Sequence, residues 1–233
     1  MAVLTGKVLG SPRSRVLSNK DRLLLAGHPH HLVRKSRDQK PVFLDEADYT
    51  HCLGQIRALS QQYELAIHAF CLLPDGLHIL ATPLGDPGNL SRFMKALSCS
   101  ASSRRKRQHG ATSVWEVRYR SSPVEPGQWM LACICYIERL PVTQRLASSA
   151  YHYHRSSYRM RLGKTHQYWL EDPEEYTRLG GSIEDRAEAY RMYMSNGLDP
   201  HEEKMIDTAV KRCRLTGSRH FVREVYRKYG VLG

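Results

Sequence analysis

From residue 28 to residue 141 the spacing of apolar positions keeps switching between two residues and three to four. Gly27-His-Pro-His-His-Leu-Val33 opens a short strand, with His30 and His31 on opposite faces because side chains alternate along a strand. Tyr49, Cys52, Leu53, Ile56, Leu59 and Tyr63 then recur at helical spacing, behind an Asp45 suited to cap the helix. A strand over Leu65–Leu72 follows. Pro74-Asp-Gly76 breaks it, and a second strand carries His78 through Ala81. Leu90, Phe93, Met94 and Leu97 mark a second helix, whose later serines (98, 100, 102 and 103) are weak helix formers. The alternation in Val114–Arg120 predicts a fourth strand, with Arg118 and Arg120 on one face. Trp129–Leu140 then reads as a helix closed by Pro141.

Strand, helix, strand, strand, helix, strand, helix is an α+β layout: a small antiparallel sheet with helices on one face. The pattern changes after residue 160. Ile183–Met194, Glu203–Cys213 and His220–Tyr229 look like amphipathic helices, the last two around Thr216-Gly-Ser218. Three parts result: an irregular basic arm over 1–26, an α+β domain over 27–160, and a helical appendage over 161–233.

Charge changes the picture more than composition does. With 41% hydrophobic and 25% charged residues, the 233-residue chain is ordinary for a globular protein. Yet 35 Lys and Arg against 23 Asp and Glu give a net +12, a balance that favours a polyanionic partner. Residues 1–40 hold nine Lys and Arg against Asp21 and Asp38, and Arg104-Arg-Lys-Arg107 is a second concentrated block. Either is a solvated face by default and a phosphate contact if nucleic acid is the partner. The six cysteines follow no disulfide or zinc spacing. No apolar run reaches the ~18–20 residues needed to cross a bilayer, and no signal peptide is evident, so a cytoplasmic protein without a membrane partner is expected.

The order of short motifs carries more than any one of them. Gly27-His-Pro-His-His-Leu-Val33, Pro41-Val-Phe-Leu-Asp45, Cys71-Leu-Leu-Pro74, Leu90-Ser-Arg-Phe-Met94, Trp115-Glu-Val-Arg-Tyr-Arg-Ser-Ser122, Tyr136-Ile-Glu138 and Ser156-Ser-Tyr-Arg159 follow one another along the chain. Together they resemble the HUH single-tyrosine transposases, most closely the REP-associated branch, over residues 27–228. The resemblance implies a ferredoxin-like or RRM-like sheet handling single-stranded or hairpin DNA of mobile or repeated elements. It also implies Mg²⁺ or Mn²⁺ held on the scissile phosphate by two strand histidines and a polar residue one helical turn after a nucleophilic tyrosine. That tyrosine forms a 5′-phosphotyrosine. Carried over, the nucleophile is Tyr136 and the second histidine is His78.

The remaining two metal positions depart from the pattern: Gly76 stands where the first histidine belongs, and Leu140 where the third ligand belongs. A hard cation left to one neutral nitrogen and water is bound weakly, so Mg or Mn is expected to be weak or absent. The expected function is therefore a transposase-like DNA-binding protein with strand cleavage lost or reduced. Arg104, Arg105, Lys106, Arg107, Arg118 and Arg120 would meet phosphates, and Trp115 and Tyr119 would stack on bases. An active nicking and rejoining transposase using Tyr136 is the alternative, and an RNA-binding protein on an RRM-like sheet is the second. A homodimer is left open. Tyr136 among Leu131, Ala132, Ile134 and Ile137 would also suit a core tyrosine.

Overall fold

A computed structural model of the chain describes residues 23–113, 115–165 and 168–229. The expected N-terminal arm lies almost entirely outside the described residues. Strand β1 (His30–Lys35), helix α1 (Glu46–Gln62), strands β2 (Leu65–Leu73) and β3 (Gly76–Pro83), helix α2 (Asn89–His109) and strand β4 (Arg120–Pro123) come in that order. They form an antiparallel sheet ordered β2-β3-β1-β4, the ferredoxin-like arrangement. Helix α3 (Gln128–Thr143) follows. Short helical turns α4 (Tyr158–Arg161) and α5 (Glu174–Thr177) then lead to α6 (Ile183–Asn196), α7 (Pro200–Lys211) and α8 (Arg219–Tyr229).

Local chemistry accounts for the boundaries. Asp45 caps α1 by accepting the Asp48 N–H at 2.8 Å. The serine-rich half of α2 stays helical as far as Gly110, which takes a left-handed φ of 61° and ends it. Pro74 and Asp75 make the two-residue turn between β2 and β3, and Lys35 reaches Asp75 Oδ2 at 3.1 Å. Helix α3 runs through Pro141 to Thr143. Proline removes its own N–H but leaves its carbonyl free to accept, here from Leu146.

The fourth strand is shorter and later than the alternation suggested. It is Arg120–Pro123, and Trp115 makes only an isolated bridge to Ser36. Of the alternating apolar residues of 115–119, Trp115 and Tyr119 close the α1/α2 core, whereas Val117 is exposed.

Both faces of the sheet are covered. Leu32, Leu72, Leu77 and Ile79 point towards α1 and α2, as expected for the first two helices. Ala69, Cys71, Leu73 and Leu80 point the other way, under α3. A bulge at His68 shifts the phase of β2, so that Ile67 and Phe70 share the α1/α2 side.

Residue 160 is no break in the packing. Leu170 belongs to the α1/α2 core, and Tyr176, Tyr190, Met194 and Ile206 belong to the α3 core. Arg155, Ser157 and Glu171 also satisfy the free edge of β2: Leu72 N–H donates to Arg155, Ser157 N–H to Phe70, and Glu171 N–H to Ile67.

Candidate nucleic-acid site

Strand register decides which histidines meet the tyrosine helix. Opposed residues of an antiparallel pair share a face. Val33 pairs with His78 and His31 with Leu80, so His31 and His78 both look at α3. Their rings touch, with His31 Nε2 3.0 Å from His78 Nδ1. Tyr136 sets its ring edge-on to His31 at a centroid distance of 5.8 Å. The tyrosine hydroxyl donates to Asp207 Oδ1 of α7 at 3.3 Å, and Lys211 holds Asp207 Oδ2 at 2.8 Å. Beside them opens a cleft of about 460 Å³, lined by Tyr136, Leu140, Thr143, Gln144, Pro200, Glu203, Lys204 and Asp207.

Gly76, the position the resemblance gives to a first metal ligand, lies on the same face as His78. A Cβ there would lie 2.4 Å from the Arg34 carbonyl oxygen and 3.1 Å from Lys35 Cα. These are backbone atoms held in the sheet, so the position admits no side chain without moving β1. Leu140 is buried among the apolar residues of the α3 core.

The electrostatics agree with the sterics. Burial pushes the His78 imidazole well below its usual pKa, and His31, Lys35 and Arg120 push it further. Burial also lowers His31 to about 3, against a smaller upward pull from Asp207. Both rings are neutral at pH 7. A divalent cation beside His78 would meet the positive charges of Lys35 and Arg120, and among the described residues no three His, Cys, Asp or Glu ligand atoms converge there. The residues at the expected metal position do not fit the ion.

Burial raises the Tyr136 phenol pKa strongly, and the neighbouring Asp207 carboxylate raises it further, so the phenolate nucleophile is disfavoured.

Glu138, two residues on, faces a different task. Its carboxylate, fully buried, accepts from Ser157 Oγ at 2.5 Å and Tyr190 OH at 2.7 Å, and pairs with Arg161 Nε at 3.3 Å. Arg161 also pairs with Asp172 at 3.1 Å, and its guanidinium donates to the His68 carbonyl. This network ties α3 to α4 and α6.

One other group of donors could in principle hold a metal. Asp45, Asp48 and His109 bring ligand atoms within 4.8 Å of one another, across the sheet from Tyr136. Each Asp48 oxygen already has a partner: Oδ1 accepts from Arg104 at 2.7 Å, and Oδ2 from Leu44 N–H and His109. Burial pushes this carboxyl up, but the Leu44 N–H, Arg104 and His109 outweigh burial and hold it low. The cluster fastens the end of α2 to the start of α1.

The expected DNA-contact residues divide. Lys106, Arg107 and Arg118 are exposed. Arg104 is spent on Asp48, and Arg105 donates to the carbonyls of Pro41, Val42 and Thr112. Arg120 pairs with Glu116 at 2.9 Å. Arg118 precedes β4, so the two arginines do not form the strand face expected of them. Trp115 and Tyr119 are 6% and 7% exposed, and such buried rings offer no face to a base. Asp207 and Arg161 had no signal near Tyr136 in the sequence, because both arrive through the tertiary fold.

The fold defines a ferredoxin-like α+β protein with a tyrosine helix laid across its sheet, and a solved transposase structure shares it. The chain is similar to the REP-associated tyrosine transposase solved bound to a REP hairpin, at 17% identity over 67% of this chain and 93% of that one, with a TM-score of 0.55. A putative transposase from Deinococcus radiodurans R1 aligns at 20% identity over 55% of this chain and 94% of that one, with a TM-score of 0.36. No protein-family model and no curated protein matches the sequence. Among the described residues, no helix is long and apolar enough to cross a membrane.

Proposed function

We propose that the chain is a transposase-like protein of the HUH single-tyrosine family that binds single-stranded or hairpin DNA and has lost strand cleavage. The observation carrying the loss is Gly76: its neighbouring backbone leaves no room for the ligand that a metal-assisted attack needs. Leu140, the cationic neighbours of His78, and the burial that raises the Tyr136 phenol pKa all point the same way. DNA as the partner is supported by the fold shared with a hairpin-bound transposase, by the net +12 charge and by the exposed Lys106, Arg107 and Arg118. An RNA reader of the RRM kind needs an open sheet face bearing aromatics. Here α1 and α2 cover one face and α3 the other.

The test is a labelled hairpin with single-stranded flanks, incubated with the protein and Mg²⁺ or Mn²⁺ and run under denaturing conditions. The expected result is salt-dependent binding without a covalent adduct. An adduct that disappears in Tyr136→Phe would overturn the loss of cleavage, and absence of binding at low salt would overturn the DNA reading.

A further inference from the structure

Another concentration of charge sits at the far end of the described chain. Residues 211–229 hold seven Lys and Arg against a single acidic residue, Glu224, a net +6. Helix α8 buries one side: Val225, with Phe221, Val222, Tyr226 and Tyr229 around it, packs on Leu23, Leu25 and Leu215. At 100° per residue, Arg219, His220, Arg223 and Arg227 fall within an arc of roughly 100° on the opposite side, and all four are exposed. Arg227 pairs with Glu224, while Arg219 and Arg223 have no acidic partner among the described residues. Arg212 and Arg214 add exposed charge in the turn before the helix.

The mount is rigid. Thr216 N–H donates to Pro123 and Glu125 N–H to Thr216, which lays the turn alongside the end of β4. Glu125 then accepts from Ser218 N–H at 2.5 Å and from Ser218 Oγ at 3.0 Å, while Phe221 N–H donates to Ser218 Oγ and so caps α8. A Cβ at Gly217 would lie 2.7 Å from both Glu125 and Phe221, so the turn seats this closely only with glycine.

We propose that α7, the turn and α8 form a docking unit for double-stranded DNA, with the arginine side of α8 laid in the major groove. An 11-residue helix is about 16 Å long, and the B-form major groove, about 12 Å wide, admits a helix. A-form RNA is a poor fit, because its major groove is too deep and narrow for side chains to read. An anionic membrane is a poor fit too: α8 would have to expose its apolar side, which is already buried on Leu25 and Leu215. The unit adds a duplex contact to the single-strand and hairpin reading, and rests on that reading only in taking DNA as the partner.

The test uses the full chain and four probes: a 20-base-pair DNA duplex, the same sequence as an RNA duplex, a 20-nucleotide DNA single strand, and phosphatidylserine vesicles. The variant is the triple Arg219→Gln, Arg223→Gln, Arg227→Gln. These side chains are exposed, so its circular dichroism and melting temperature are expected to match wild type. Duplex DNA binding is expected to weaken 10- to 100-fold, and the slope of log affinity against log salt to fall by about 2 to 3, near one for each phosphate no longer neutralised. Single-strand binding should change less than about threefold. The triple Arg→Lys variant at the same positions should keep most of the duplex affinity. Three results would each overturn the dock: duplex binding untouched by the Gln variant, an equal loss on all nucleic-acid probes, or RNA duplex or vesicles bound as tightly as duplex DNA. If wild type binds single strands but no duplex, the dock alone fails. If it binds neither, the DNA reading fails with it.

Discussion

Replacing Gly76 by alanine tests the steric argument for a lost metal site, because two opposing effects predict different signs. A glycine-to-alanine change without strain stabilises by about 0.4–1 kcal/mol, through a less flexible unfolded chain. Here the added methyl meets the Arg34 carbonyl oxygen at 2.4 Å and Lys35 Cα at 3.1 Å, inside the paired β1–β3 ladder. Overpacking of that kind costs about 1–3 kcal/mol. The net expectation is a loss of roughly 1–2 kcal/mol, which for a protein of this size lowers the melting temperature by about 2–8 °C. Calorimetry at pH 7.5 reads it directly, and a Gly76→Ala melting temperature at or above wild type would refute the close approach. Gly76→His extends the test. A restored site with a Kd of about 10 μM would gain about 2.7 kcal/mol from 1 mM Mn²⁺. The expected gain is none, since the ring has no room beside Lys35, and a Mn²⁺-dependent rise in melting temperature would show that β1 can yield.

Three further outcomes follow from other parts of the site. Glu138→Ala leaves the fully buried Arg161 with Asp172 alone and strips the Ser157 and Tyr190 hydroxyls of their acceptor, and should cost about 3–5 kcal/mol, with Glu138→Gln milder; denaturant melts compare them. Burial lowers His30 and His68 to about 4 and His31 to about 3, against 6.5 unfolded, so below pH 6.5 the unfolded chain binds more protons. Stability is then whole above pH 6.5 and falls as pH drops towards 4, by up to about 1.4 kcal/mol per pH unit for each histidine, and melts across that range should flatten in His31→Asn. Tyr136→Phe removes only the 3.3 Å contact to Asp207, so its stability should change by less than about 1 kcal/mol, and DNA binding should be retained in a gel-shift assay.

Most elements were legible because their signals are local. The Asp45 cap, the helical spacing through Tyr63 and the Pro74–Asp75 turn each act within a few residues, and each stands where the pattern put it. The fourth strand departs from its pattern because alternation reports burial rather than pairing. Trp115 and Tyr119 are buried beneath a loop, whereas the paired residues include Ser121 and Ser122, which carry no strand signal of their own. The covering of the second sheet face depends on α3 and on residues of α5, α6 and α7 that follow it at a distance along the chain, and no local period encodes that.

The candidate site divides along the same line. That Gly76 and His78 share a face follows from strand alternation alone, so the sequence was enough to place glycine at the position the resemblance gives to a first ligand. What occupies its place was not legible. His31 comes from a strand 47 residues away, and Asp207 lies 71 residues beyond Tyr136. The exchange is physical as well as chemical. A metal needs donors around an open, wet position, whereas here two neutral rings meet each other and the phenol is held under α7. Glycine at 76 lets β1 approach this closely, and the same approach shuts out the side chain that cleavage would require. Under the proposed reading, a ligand at position 76 would therefore require β1 to move.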